Sequence, residues 1–375
     1  QGGTSSEDRA YGIAIDNSTG NIYITGHTKG NLEGNTLSGT KDLFVTKYNS
    51  SGTRQWTRTL GTSSEETAGA GVSIDSSENV FLTGYATGAL DSNTNTGAKD
   101  VLVAKYNSSG TKQWTKLFGL QYDDYGTRIK MDSSGNAYIS TFFGYYVSGV
   151  GQFRKYNSSG TEIWDVAGSS TARIMYDLAI DNSDNIYLVN YTFYRKFDSN
   201  GNQIWTSYNN EYVGDVMRGV AVDNAGYLYI AAYTTGNQDG NANSGGNDLF
   251  LLKYSTSDNT KQWTRLLGTS SDEFVYAVEL DSSNNVYVIG DTAGNLDGTN
   301  SGGKDVFLVK YNSSGTKQWT KQLGSSSDDI AQGIAIDNSS NIYVVGYTAG
   351  ELDGSANSGN DDYFILKYDS NGNKQ

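Results

Sequence analysis

Gly333-Ile334-Ala335-Ile336-Asp337-Asn338-Ser339-Ser340-Asn341-Ile342-Tyr343-Val344-Val345-Gly346 decides the fold. A short apolar run ends in an acid, a polar turn follows, and a second apolar run returns. That is the pattern of two strands joined by a tight turn. Working outward, the same opening recurs at Asp16, Asp75, Asp132, Asp181, Asp223, Asp281 and Asp337, which lie 59, 57, 49, 42, 58 and 56 residues apart. A Lys-aromatic pair follows in every copy, at Lys47-Tyr48, Lys105-Tyr106, Lys155-Tyr156, Lys196-Phe197, Lys253-Tyr254, Lys310-Tyr311 and Lys367-Tyr368. A tryptophan follows in six, at Trp56, Trp114, Trp164, Trp205, Trp263 and Trp319.

Each unit reads as four strands. In the first copy these are Ile13-Ala14-Ile15, Ile22 to Thr25, Leu43 to Tyr48, and the segment around Gln55-Trp56-Thr57-Arg58. No helical period of useful length is present. Four antiparallel strands at this repeat length predict a propeller blade. The expectation is therefore all-β: a seven-bladed β-propeller with four antiparallel strands per blade. It forms a single domain over residues 1–375, with blades starting near 12, 71, 128, 177, 219, 277 and 333. Lys374-Gln375 matches Lys317-Gln318, and Gln1-Gly2-Gly3 matches Gln322-Leu323-Gly324. The last blade is thus expected to be closed by the N-terminal segment, with residues 1–10 completing it. The Trp-Thr-Lys stretch between the two ends is missing. Either the chain is a section of a longer array, or the blade is closed by an incomplete strand.

Composition removes several function classes. The chain has 375 residues, 27 Lys+Arg against 41 Asp+Glu, and a net charge of −14. That argues against a nucleic-acid backbone binder and against docking on anionic lipid. No apolar run approaches the roughly 18 residues of a membrane helix, and no signal peptide is read, so a soluble chain or mature fragment is expected, without membrane insertion. With no Cys there are no disulfides, thiolate metal sites or cysteine nucleophiles. The single His27 works against multi-His metal sites and His-based catalysis.

The segments 333–346 and Lys310 to Gly324 resemble the bacterial seven-bladed β-propeller repeat family, and the first half of each unit is similar to NHL-type blades. The resemblance covers the whole chain in five strong copies and two divergent ones, about residues 128–212. It implies a propeller fold and exposure outside the cell or on its surface. It implies no single activity and brings no catalytic motif.

Most recurring residues read as structural: the apolar positions and Trp pack blades, and each Asp before a hairpin caps its own turn. The Asn-Ser-Ser-Gly segments at 49, 107, 157 and 312 read as turns. Two features stand out. The loops between second and third strands carry an acid at Glu33, Asp91, Asp239, Asp297 and Asp353, among Gly, Asn and Ser. Hard oxygens on a flexible loop suit Ca²⁺, so these five are candidate calcium ligands, against a plain Asp-Gly turn. No other cofactor is required. Blades three and four lack that loop and carry Phe142-Phe143-Gly144-Tyr145-Tyr146 and Tyr191-Thr192-Phe193-Tyr194-Arg195 instead. Arg128 and Lys130 stand on the first strand of blade three. Aromatic faces and Arg are favoured anchors, so Phe143, Tyr145, Tyr146, Tyr191, Tyr194, Arg128 and Lys130 form the candidate binding set. The bland alternative is that short blades pack with bulkier residues.

The sequence thus predicts a non-catalytic, secreted or cell-surface binding or adhesion module for a glycan or protein partner. A structural spacer domain inside a larger surface protein is the alternative. A carbohydrate-active lyase or hydrolase is a third reading, because paired carboxylates are plentiful although no spacing singles one out.

Overall fold

The computed structural model describes every residue except 145–149, 167–173, 192 and 209–214, together with all side chains of the described residues save Ala70 and Val150. The fold is all-β and seven-bladed, as the repeat predicts. Six blades are four-stranded antiparallel sheets whose strands neighbour one another in chain order, and the seventh sheet has three strands. In blade one the strands are Asp8–Ile15, Ile22–Thr28, Asp42–Tyr48 and Arg54–Leu60. Blades two to six cover 66–118, 124–166, 177–208, 216–267 and 273–323, and the three strands of blade seven cover 329–368. Residue contacts gather the chain into two compact units. One comprises Gly2–Met175 with Ser358–Tyr363. The other comprises Gln1, Tyr176–Asn357 and Phe364–Gln375.

Second and third strands are buried on both faces, which is why they read as nearly continuous apolar runs: Ile22–Thr28 and Asp100–Tyr106 are buried throughout. Fourth strands begin exposed, as in Arg54–Leu60. This asymmetry puts the core between blades rather than on one side of each. Inside the first unit, for example, Tyr23, Leu43 and Val45 of blade one pack with Val72, Leu82 and Leu102 of blade two.

The chain ends complete the seventh blade in the register the sequence match requires. Tyr368 bridges Lys374 as Tyr311 pairs with Lys317, and Gly2 bridges Tyr363 as Leu323 pairs with Val306. The Gln1 side chain takes over the role of Gln322. Its Oε1 accepts from the Leu352 amide at 3.3 Å, and Gln322 Oε1 accepts from Leu296 at 2.8 Å.

Candidate functional site

Each blade has two ends, the hairpin end and the loop end, and they are built on different principles.

At the hairpin end the same device recurs. Asp281 Oδ1 accepts from the Ser283 and Asn285 amides, both at 2.9 Å, and its Oδ2 accepts from the Tyr287 hydroxyl at 2.9 Å. Asp181 and Tyr187, Asp223 and Tyr229, and Asp337 and Tyr343 repeat the last contact. The turn-capping role read from sequence is what the carboxylates perform. A Lys ammonium stands over the second-strand ring in all seven blades, from Lys155 over Tyr138 at 4.7 Å to Lys196 over Tyr187 at 5.4 Å. The Trp of the fourth strand packs against that ring, as Trp319 does 6.0 Å from Tyr287. Lys310 Nζ and Trp319 Nε1 then both donate to the Ser370 carbonyl in the next blade's turn, at 2.9 and 3.3 Å. Lys105 with Trp114, and Lys253 with Trp263, do the same to Ser158 and Ser313. Lys, aromatic and Trp are therefore one interblade latch, and their recurrence is structural. The Asn-Ser-Ser-Gly segments are turns: Asn312 Oδ1 accepts from the Ser314 and Thr316 amides.

At the loop end the copies diverge. First strands carry a bulge that sequence reading did not find. The pairing skips a residue at Tyr11, Thr127, Arg218, Tyr276 and Gln332. A bulge re-aims the extra side chain and leaves it outside the ladder. The signal was available: a lone glycine inside the strand follows at Gly12, Gly219 and Gly333.

In the first unit Tyr11 Oη lies 3.1 Å from His27 Nδ1, and His27 Nε2 lies 2.8 Å from Glu7 Oε1. Burial holds the imidazole at about 4, the Glu7 hydrogen bond opposing it only in part. Glu7 itself is drawn down to about 2 despite its burial, by hydrogen bonds from His27 and Lys29 and the charge of Arg9. His27 is thus neutral, and both its ring nitrogens are occupied. In the next blade of the same unit Tyr85 donates to Glu65, itself 3.3 Å from Lys41. Lys99 lies over Tyr85 at 4.8 Å and over Tyr125 at 5.0 Å, and Phe142 stacks on Tyr125.

In the second unit Arg218 is centred 4.2 Å above Tyr176 and 5.9 Å from Tyr233. Tyr191 meets Tyr176 edge-on at 5.0 Å, and Phe274 meets Tyr233 at 5.1 Å. Tyr276 donates to Asp291 at 3.0 Å, and Lys304 pairs with Asp291 at 3.2 Å. Tyr176, Tyr191, Arg218, Tyr233 and Phe274 are all partly exposed.

The sequence-predicted binding residues scatter. Tyr145 and Tyr146 lie outside the described residues. Phe143 is buried between Phe118 and the Arg154 guanidinium, and Tyr194 is buried between Trp205 and Tyr254, so both serve the core rather than a surface. Arg128 and Lys130 are half-buried opposite Ser140 and Tyr138. Tyr191 stands beside Tyr176 in the second unit. Blades three and four also place apolar residues on their outer strands where other copies have Gln: Ile163 is 49% exposed and Ile204 51%.

Four of the five loop acids are paired with bases. Asp91 pairs with Lys112 at 2.6 Å, Asp239 with Lys261 at 2.8 Å, Glu33 with Arg54 at 2.5 Å, and Asp353 with Lys374. At Asp297 the loop is held instead through its amide, which donates to Gln322 Oε1. Among the described residues no group of three or more His, Cys, Asp or Glu is gathered as metal ligands.

With this geometry in view, four segments, 1–33, 55–91, 262–297 and 318–353, match the model of the beta-propeller repeat. The chain is a seven-bladed propeller, and these four segments are similar to that repeat. It is 29% identical over 141 residues to an uncharacterized WD repeat-containing protein of Acanthamoeba polyphaga mimivirus, covering 33% of this chain. It is 22% identical over 378 residues, 94% of this chain, to the regulatory protein FlaEY of Caulobacter vibrioides. The chain spans 10% and 38% of the lengths of those relatives. Among solved structures it is similar to virginiamycin B lyase from Staphylococcus aureus, at a TM-score of 0.58 and 11% identity over 95% of this chain and 94% of that one. It is similar to the Neurospora crassa Pan2 WD40 domain at 0.56 and 10%, over 97% of each. These likenesses show the fold alone.

Proposed function

We propose that the protein is a non-catalytic binding module that takes a glycan on its loop end, with the Tyr176–Tyr191–Arg218–Tyr233 group as the principal contact. The observation that carries the reading is the bulge that turns Arg218 out of the ladder into a set of partly exposed rings. Ring faces take the apolar faces of sugars, while a guanidinium and phenol hydroxyls supply directional hydrogen bonds. Both His27 nitrogens are engaged within the chain, so the imidazole is not among the groups offered to the glycan. A cell-surface setting fits a glycan partner. The spacer reading draws on a different observation, the latch repeated from blade to blade, which serves stability whatever the loop end does.

The test is a screen of the chain on an immobilised glycan panel, followed by titration calorimetry with the best binder. Arg218→Ala and Tyr191→Ala are expected to weaken that binder at least tenfold, about 1.4 kcal/mol, with unchanged melting. Full affinity in both variants, or no binder on the panel, would overturn the reading.

A further inference from the structure

The bulges and the latch leave one set of groups unexplained: buried carboxyls at the loop end of every complete interblade junction within the two units. The residue before each third strand accepts a hydrogen bond from the first amide of the next blade's first strand. Glu66 N donates to Lys41 O at 2.8 Å, Asp124 N to Lys99 O at 2.8 Å, and Asp329 N to Lys304 O at 2.7 Å. That bond sets two acids side by side: Asp42 with Glu66, Asp100 with Asp124, and Asp305 with Asp329. Asp248 with Glu273, and Asp362 with Asp8, repeat the arrangement. All ten are at most 1% exposed.

The glycine that precedes each first strand's turn makes room for the pair. A side-chain carbon on Gly119 would lie 2.5 Å from Asp100 Oδ1 and 2.6 Å from Asp124 Oδ2. Backbone amides hold one oxygen of each acid, and both oxygens of Asp100 and of Asp124. Ser301 and Ser325 donate to Asp305 Oδ2 and Asp329 Oδ2, at 2.9 and 2.5 Å. The other oxygen, Oδ1 of Asp305 and of Asp329, is buried with no hydrogen-bond partner, as are Oδ1 of Asp42 and of Asp248. Two adjacent carboxylates both ionised at zero exposure would be prohibitively costly.

We propose that each of these carboxyl pairs holds a single shared proton, as an O–H···O⁻ hydrogen bond that staples consecutive blades together. The proton leaves no atom unbalanced: it comes from solvent on folding and returns to it on unfolding. A proton suits the pairs better than a metal ion, because among the described residues no group of three or more His, Cys, Asp or Glu is gathered as metal ligands. The charged groups that face them are themselves acidic. Glu66 meets Asp42 and Glu65, Asp124 meets Asp100 and Asp123, Glu273 meets Asp248, Asp329 meets Asp305, and Asp8 meets Asp362. Burial pushes the first-strand member up, with a smaller push from the neighbouring acid, against hydrogen bonds that favour the ionised form; Asp124 is raised to about 6.

The sign follows. An acid whose folded value is raised stabilises fully below its unfolded value, near 3.8 for Asp124, and loses that contribution as pH rises through about 6. The staples therefore favour mildly acidic conditions. The experiment is infrared spectroscopy of the intact chain in heavy water at pD 5 and pD 8, with thermal melts at pH 5 and pH 8. The expected result is a protonated-carboxyl band at pD 5 that is lost by pD 8 and is weakened in Asp305→Asn and in Asp42→Asn, and a melting temperature several degrees lower at pH 8. Because the band is read on the unmutated chain, misfolding of a variant does not spoil the test. A missing band, or a band that vanishes when Ca²⁺ or Mg²⁺ is added while melting rises, would overturn the proposal, the latter in favour of a cation between the carboxylates.

Discussion

The hairpin end and the loop end of the same blades obey opposite rules. At the hairpin end, Asp cap, Lys, aromatic and Trp recur almost unchanged, and each copy does the same work in a blade and its neighbour. At the loop end, equivalent positions carry Tyr11 and His27 in one blade and Tyr276 and Asp291 in another. Repetition inside one chain marks what every blade needs for stability. Departure from it marks what a single blade does alone. The candidate site belongs where the repeat breaks, and blades break it at their bulges more than at their missing loops.

Three experiments press on that contrast. The largest effect is expected at the hairpin end. Tyr287→Ala removes a fully buried ring that meets Asp281, Lys310 and Trp319 together. Stability should fall by about 3–5 kcal/mol in urea melts, while glycan affinity of the folded fraction stays the same. A loss below about 1 kcal/mol would mean the latch is not a unit.

A smaller effect is expected at His27. Its folded value, about 4, lies below the unfolded 6.5, so the stability it contributes is present above 6.5 and lost progressively as pH falls toward 4. This opposes the carboxyl pairs in sign, and His27→Gln separates the two. With one His in the chain, its proton NMR signal is unambiguous. Titration near 6.5 in the folded protein would remove the buried, neutral imidazole from the account.

The smallest effect is expected in the acidic loops. Lys261→Met breaks an exposed pair with Asp239 and should cost about 0–1 kcal/mol. Melts in excess Ca²⁺ against EDTA should differ little, since four of the five acids already face bases. A shift approaching 2.7 kcal/mol, the value for a hundredfold excess over Kd, would make these loops metal sites and extend binding chemistry to them.

Much of this was legible in the sequence because it is local. An Asp two and four residues before the amides it caps, an alternating run and a Gly turn all lie within one short window, so strand order and turn chemistry follow from spacing. The seven-fold count and the completion of the last blade by Gln1-Gly2 were equally open, since both are matches of sequence to sequence. Burial of Phe143 and Tyr194 was not legible. An aromatic-rich segment reads the same whether its rings face solvent or a neighbouring strand, and only the packed blades choose. Nor could spacing show that Asp42 stands beside Glu66 or Asp305 beside Asp329. Those residues are 24 positions apart, each has an ordinary local role, and their shared burial exists only once consecutive blades stack. The sequence by itself determined the repeat, the blade and the caps. The tertiary structure decided which acids lose their water and which rings keep a free face, because desolvation belongs to neighbours brought together by folding rather than to neighbours along the chain.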